Sequence, residues 1–186
     1  MANPYQANLP DFHQLDAIED QFGAAFIRLY QRRPFEQISV SALCKEAGLA
    51  RSTFYHHFSN TWELRDLLED NFVAGILKAT VDLSRADAKN PNYRRYLTRV
   101  TSFVKDNRRL FKAFLVDQPT ASFLAKYRAS IKYHYYETGC HDDLALEVVA
   151  NYVITLFRYG LEHDIAIDVV ITGKYDRLLK HMLDYL

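Results

Sequence analysis

The run Ser-Val-Ser-Ala-Leu-Cys-Lys-Glu-Ala-Gly-Leu-Ala-Arg-Ser-Thr-Phe-Tyr-His-His-Phe, residues 39 to 58, constrains the fold more than any other part of this chain. Val40, Leu43, Cys44 and Ala47 recur at helical spacing, so one face of a short helix is apolar. Gly48 follows, where a chain leaving a helix commonly turns through left-handed backbone. A second helix is expected from near Ala50. Phe54 and Phe58 stand four apart and share its inner face. Arg51, Ser52, Thr53, Tyr55 and His56 occupy the remainder. Two short helices, a tight turn and a polar outer face make a helix-turn-helix, whose second helix enters a DNA major groove.

The rest of the chain reads as helices too. A loose leader is expected over residues 1–12, then a helix from about Gln14 to Arg33 with Leu15, Ile18, Phe22, Phe26 and Leu29 buried. Pro34 ends it, and Ser39 is the natural N-cap of the next helix. Asn60 and Glu63 resemble a capping box opening a long helix that carries Leu64, Leu67, Leu68, Phe72 and Ile76 to about Ser84. Arg85 to Asn92 is polar, contains Pro91, and reads as a linker. Beyond it come helices marked by Tyr93, Leu97, Val100 and Val104, then by Leu110, Phe111, Phe114 and Leu115. Pro119 suits the first turn of a helix bearing Phe123, Leu124, Tyr127, Ile131 and Tyr135, which stops at Gly139. Asp142 or Asp143 starts another, through about Leu161, apolar nearly all round in its middle. Ile165 to Thr172 is either extended or the start of a last helix from an Asp168 cap, striped by Ile171, Tyr175, Leu178 and Met182 and ending near Leu186.

Lys+Arg and Asp+Glu are both 23, so net charge names no partner. Locally, Arg28, Arg32, Arg33, Lys45 and Arg51 outweigh Glu36 and Glu46, a modest positive field of the sign phosphate contact needs. Cys44 and Cys140 imply no disulfide framework. The N-terminus lacks a signal-peptide pattern, and no apolar stretch is read as approaching the roughly 20 residues of a membrane span, so a cytoplasmic protein is expected.

With those residues in view, the stretch from about Leu15 to Phe72 resembles the DNA-binding head of the tetracycline-repressor (TetR) family. The resemblance rests on the long first helix with Phe26, on Pro34-Phe35-Glu36-Gln37-Ile38-Ser39-Val40, on Ala47-Gly48-Leu49, and on Thr53-Phe54-Tyr55-His56-His57-Phe58 leading to Leu64. It implies an all-α homodimer: a three-helix helix-turn-helix head over 13–60 and a helical regulatory and dimerisation body over 61–186. It also implies double-stranded DNA with a palindromic operator as partner, an unknown small-molecule effector or partner protein, and a dimer interface built from the last two long helices. Leu49 to Tyr55 would be the reading surface, with Tyr55 and His56 where the family meets the DNA backbone and nearby bases. Two residues depart from the pattern. Ala50 stands where the family usually has a capping Ser or Thr, and Thr61 where a Lys often touches phosphate.

The candidate DNA-binding residues are Ser39, Leu49, Ala50, Arg51, Ser52, Thr53, Tyr55 and His56. Arg51 can pair bidentately with guanine or clamp a phosphate; Ser52 and Thr53 can bond bases or phosphates or be plain surface. Ser39 can bond a phosphate or simply cap, and Lys45 can reach phosphate or stay solvated. His56 favours backbone contact, and His57 could equally pack on the following helix. Of 13 Tyr, ten lie after the linker, and with 12 Phe they either fill a core and dimer seam or line a pocket. For a pocket, Phe103, Tyr127, Ile131, Tyr152 and Leu156 are the candidates. His134, Cys140-His141-Asp142-Asp143 and His163-Asp164 match no closed zinc spacing, so no metal, cofactor or catalytic constellation is expected. The expected function is a sequence-specific transcriptional regulator, a repressor controlled by an effector in the body; the alternative is a co-regulator acting through a protein partner.

Overall fold

The structure, a computed structural model, describes residues 2–80, 91–171 and 177–178. Within them the order is α1 (Ala17–Tyr30), α2 (Val40–Ala47), α3 (Arg51–His57), α4 (Thr61–Thr80), α5 (Pro91–Asp106), α6 (Arg108–Lys112), α7 (Ala121–Glu137), α8 (Asp143–Glu162) and α9 (Ile167–Ile171). There is no strand among the described residues. Short 3-10 turns cover Gln6–Asn8 and Phe35–Gln37, and a π-helical turn, Ala113–Asp117, continues α6.

Local chemistry explains most boundaries. Asp16 caps α1, accepting from the backbone N–H groups of Ile18 and Glu19, while the Glu19 side chain returns to Asp16 N. That reciprocal box sets the start of α1 at Ala17, later than the sequence pattern suggested. Ser39 Oγ accepts from Ala42 N, and Gly48 closes α2 at φ 70°. Gly139, at φ 105°, follows α7, and Asp142 caps α8. Asn60 Oδ1 accepts from Trp62 N and Glu63 N, but Glu63 reaches back to Ser59 N rather than to Asn60 N, so the expected box is displaced by one residue. Pro119 is not in the first turn of α7. Thr120 is the cap, its hydroxyl accepting from Phe123 N, and Pro119 lies just outside. Residues 167–171 are helical rather than extended, with Asp168 inside the first turn.

Among the described residues a buried cluster runs from the head into the body. Its head portion includes Phe22, Phe26, Leu43, Phe54 and Phe58; its body portion includes Phe72, Val104, Phe111, Phe114, Phe123 and Tyr127. Aromatic side chains fill much of it. Phe72 stacks on Phe111 at 4.8 Å between centroids, and Phe123 on Tyr127 at 5.8 Å. The tall apolar middle of α8 is largely core: Leu146, Val149, Ala150 and Phe157 are buried. Contrary to the expectation from sequence, α8 is long and apolar enough to cross a membrane by length and composition; its packing against α7 and α9 makes it a core helix here. The expected stretch 81–90, the Tyr175 and Met182 stripe and the chain end lie outside the described residues, as do the side chains of Tyr93 and Leu97.

The leader is not loose. Asn3 is buried and its amide donates to Tyr133 O and Glu137 Oε1 on α7. Tyr5 donates its phenol to Asp143 Oδ1 at 2.8 Å. The chain then runs across α4, where Asn71 accepts from His13 N and donates to His13 O, both at 2.9 Å. Residues 3–13 are therefore a strap from the α7–α8 end of the body to the start of α1.

Candidate nucleic-acid interface

The second helix of the motif is held by three phenylalanines. Phe22 of α1 meets Phe54 edge-on at 5.2 Å and Phe58 at 6.2 Å, and all three are buried. Such edge-to-face pairs fix ring orientation as well as bury area. With that face inward, Arg51, Ser52, Tyr55 and His56 are exposed and Thr53 is half-buried. Tyr55 is 58% exposed, a large aromatic surface for a soluble helix. Among the described residues, the side chains of Arg51, Ser52, Thr53, Tyr55 and His56 make no hydrogen bond or ion pair. Two of them have ring neighbours: Phe54 beside Tyr55 and His57 beside His56. A row of uncommitted donors and one guanidinium on a rigid helix can contact phosphates and base edges.

The other expected residues gather around this face. Leu49 and Ala50 form the turn, Leu49 half-buried and Ala50 exposed. Ala50 takes the extended backbone of an N-cap, φ −73° and ψ 154°, but supplies no side-chain acceptor. Ser39 is exposed at the start of α2, its oxygen already accepting from Ala42 N. Thr61 opens α4 and is half-buried. Arg28 is paired within the head: its Nε lies 2.6 Å from Glu46 Oε1 and ties α1 to α2. Gln21 adds a second tie, donating to Ala47 O at 2.7 Å. Removing the Arg28–Glu46 pair from the local charge leaves Arg32, Arg33, Lys45 and Arg51 against Glu36.

His57 packs toward α1 rather than α4. Its Nδ1 is 3.5 Å from Asp16 Oδ2. Asp16, Glu19 and His57 bring ligand-type atoms within 4.8 Å of one another. Asp16 and Glu19 already have work in the capping box, and the backbone N–H groups of Glu19 and Ile18, aided by His57 and His13, hold the Asp16 carboxyl below its usual range. The cluster is thus a cap with a histidine attached.

Sequence reasoning missed the joint between head and body. Gln118, just after the π-helical turn, donates from Nε2 to Tyr30 O at 2.6 Å and Arg33 O at 2.9 Å, and accepts from Phe35 N at 2.8 Å. Tyr30 returns a phenol hydrogen bond to Gln118 O at 2.8 Å. Beside it, the Arg65 guanidinium lies 4.2 Å from the Phe35 ring and 4.4 Å from Trp62. Glu69, fully buried, accepts from Thr120 Oγ1 at 2.9 Å and faces Arg65 Nε at 3.5 Å; burial pushes its carboxyl up despite both partners. No local pattern marks Gln118, because its partners are more than 80 residues away.

The five pocket candidates take different places among the described residues. Tyr127 and Ile131 are buried in the core, Tyr152 and Leu156 are half-buried on α8, and Phe103 lines a cleft. That cleft, about 570 Å³, runs between α1, α4 and the α5–α6 corner, over Gly23, Leu68, Gly75 and Leu110.

The fold and the exposed recognition face together define an all-helical helix-turn-helix protein with a helical body. The family model described as "Bacterial regulatory proteins, tetR family" matches residues 24–67. The match spans α2 and α3 and the flanking parts of α1 and α4, so the helix-turn-helix segment is similar to the DNA-binding head of that family. Solved structures share the fold over most of its length. One described as the dihydroxyacetone kinase operon activator DhaS is 18% identical, with TM-score 0.62, covering 91% of this chain and 96% of that one. The fatty acid degradation regulator FadR from Bacillus halodurans is 14% identical, with TM-score 0.70, covering 90% and 97%. A TetR transcriptional regulator from Streptococcus agalactiae 2603V is 18% identical, with TM-score 0.62, covering 90% and 92%. No curated protein matches the sequence.

Proposed function

We propose that this protein is a TetR-family transcriptional regulator, a cytoplasmic homodimeric repressor that binds a palindromic operator and is released by an effector acting on the body. The supporting observation is the α3 face: Phe54 and Phe58 anchor it inward while Arg51, Ser52, Thr53, Tyr55 and His56 stand uncommitted. Ser39, Leu49 and Ala50 flank that face and complete the reading surface. The head is residues 13–60 and the regulatory body 61–186.

Dimerisation through α8 is supported by a stripe along that helix. Leu144 is 70% exposed, Val148 37% and Tyr159 49%, with Asn151 and Thr155 exposed between them. Their spacing is that of one helix face, and a second copy would cover it. Two recognition helices in one dimer then meet half-sites about 34–36 Å apart, or a multiple of that spacing.

The test is selection of bound duplexes from a random pool, followed by gel shift with the selected site. Arg51→Ala should weaken binding by about 1–3 kcal/mol and relax selectivity at one position in each half-site, with the dimer still folded. Selection of no duplex, or an Arg51→Ala protein with unaltered affinity and selectivity, would overturn the assignment.

A further inference from the structure

Beneath the N-terminal strap lies a cavity of about 280 Å³, walled by Leu9, Pro10 and Asp11 of the strap, Leu77 and Lys78 of α4, and His134 of α7 among others. His134 is only 9% exposed. Its ring stacks flat on Tyr96, 4.1 Å apart and 7° from parallel. Neither ring nitrogen has a hydrogen-bond partner among the described residues, and His134 is one of the residues that line this cavity. A buried imidazole with both nitrogens unpartnered is costly, and a site that keeps one usually supplies a partner from a ligand or a bridging water. Burial pushes its pKa down to about 4, so at neutral pH it offers one donor and one acceptor and no charge.

The charges at the mouth narrow the choice of ligand. Lys78 and Asp11 both line the cavity, yet they form no ion pair with one another or with any other described residue. The Lys78 ammonium instead rests 4.4 Å from the Phe12 ring centroid, also on the strap. One exposed cation and one exposed anion that are not paired with each other, beside the apolar Leu9, Pro10 and Leu77, complement a molecule that carries both signs and has an apolar part. The volume, about 280 Å³, lies just below the range of drug-sized ligand sites, which run from about 300 Å³ upward, and so suits a smaller molecule.

We propose that this cavity is a binding site for a small zwitterion of amino-acid size, its carboxylate facing Lys78, its ammonium facing Asp11, and His134 as the buried polar contact. Four of its lining residues, Gln6, Leu9, Pro10 and Asp11, come from the strap that leads to the Asp16 cap of α1, so occupancy would register on the helix that carries Phe22. The assignment of this ligand as the effector rests on the reading of the body as a regulatory domain; the site itself does not.

The experiment is calorimetric titration of the full-length protein with the common amino acids, one at a time. For any amino acid that binds, the matching 2-oxo acid, lacking the ammonium, and the matching amine, lacking the carboxylate, are titrated next. Stoichiometric binding is expected for at least one amino acid, with each truncated analogue at least about tenfold weaker. His134→Phe keeps an aromatic ring against Tyr96 and removes both nitrogens; it should weaken binding at least about tenfold with an unaltered circular dichroism spectrum. Asp11→Asn, on the exposed strap, gives the same reading should His134→Phe fail to fold. No binding by any amino acid, or binding that survives both substitutions, overturns the site. Gel shift of the selected operator with the bound amino acid present separates the two readings. Binding that leaves operator affinity unaltered upholds the site and overturns its role as effector site; loss of operator affinity upholds both.

Discussion

Gln118 is the side chain whose loss should be felt most widely for its size. It belongs to the body, yet it satisfies the carbonyls that end α1 and the amide that starts the turn at Phe35. The bond to Arg33 O is exposed and contributes little; those to Tyr30 O and from Phe35 N are part-buried. Gln118→Ala removes both and leaves the Phe35 N–H without an acceptor. At about 1 kcal/mol for each lost bond, plus part of the cost of an orphaned donor, the loss is about 2–3 kcal/mol. For a chain of this length that lowers the melting midpoint by roughly 4–12 °C. Gln118→Glu is the sharper probe. Its carboxylate still accepts from Phe35 N but presents lone pairs to two carbonyl oxygens, so near neutral pH it should be no more stable than the alanine variant. The assay is urea denaturation at fixed protein concentration, with amide exchange of Phe35 read in parallel. Alanine and glutamate variants that match the parent in midpoint and in Phe35 exchange would refute the idea that this amide joins head to body.

Ala50→Ser should raise stability by about 1 kcal/mol, because the backbone already has cap geometry and Ser39 shows the same residue capping in the same chain; a thermal midpoint no higher than the parent's would count against it. Gly48→Ala should cost about 1 kcal/mol through backbone conformation alone, since a Cβ there meets nothing within 4 Å while φ is 70°; chemical denaturation of the variant checks it. His134 sets a pH dependence. Its pKa falls from 6.5 in the unfolded chain to about 4 in the fold, so the stability of its neutral form is complete above 6.5 and lost as pH drops through about 4. The loss is about 3 kcal/mol at most, and His134→Phe should flatten that limb of the stability curve; an equally steep acid limb in the variant would refute it.

The sequence patterns that held up are those whose cause lies within a few residues. Ser39, Gly48, Gly139 and Asp142 end or start helices by satisfying groups three or four positions away, and the burial of Phe22, Phe26, Phe54 and Phe58 follows from periodicity. The readings that failed involve competition or distance. Pro119 is compatible with a first helical turn, but the Thr120 hydroxyl gains a backbone hydrogen bond and takes the cap one residue later. The leader has the composition of a loose end, and only tertiary partners order it. Asn3 reaches Glu137, and Tyr5 reaches Asp143, across more than 130 residues. The tyrosine-rich body is a related case. An aromatic residue at helical spacing marks an inward face without saying whether that face meets protein or a cavity, and Tyr127 turns out to be stacked on Phe123 in the core.

The helix that carries the recognition element is held by the body at both ends. At its start, the strap runs from α7 and α8 through the Asn71 clamp to the Asp16 cap. At its finish, Gln118 gathers Tyr30 and Arg33, while Phe114 meets Tyr30 ring to ring at 5.9 Å. Between these anchors, α1 bears Phe22, against which α3 is packed. The head therefore has no flexible hinge to its body along α1, and the buried cluster is continuous across the joint. Because close-packed interiors shift between discrete arrangements rather than stretch, a displacement of α7 relative to α4 must either break one anchor or carry α1 and α3 with it. A ligand can bias that choice only by the difference in its affinity for the two arrangements. In this chain the strap makes that difference local, since residues 9–11 are both a wall of the cavity at His134 and the tether of α1.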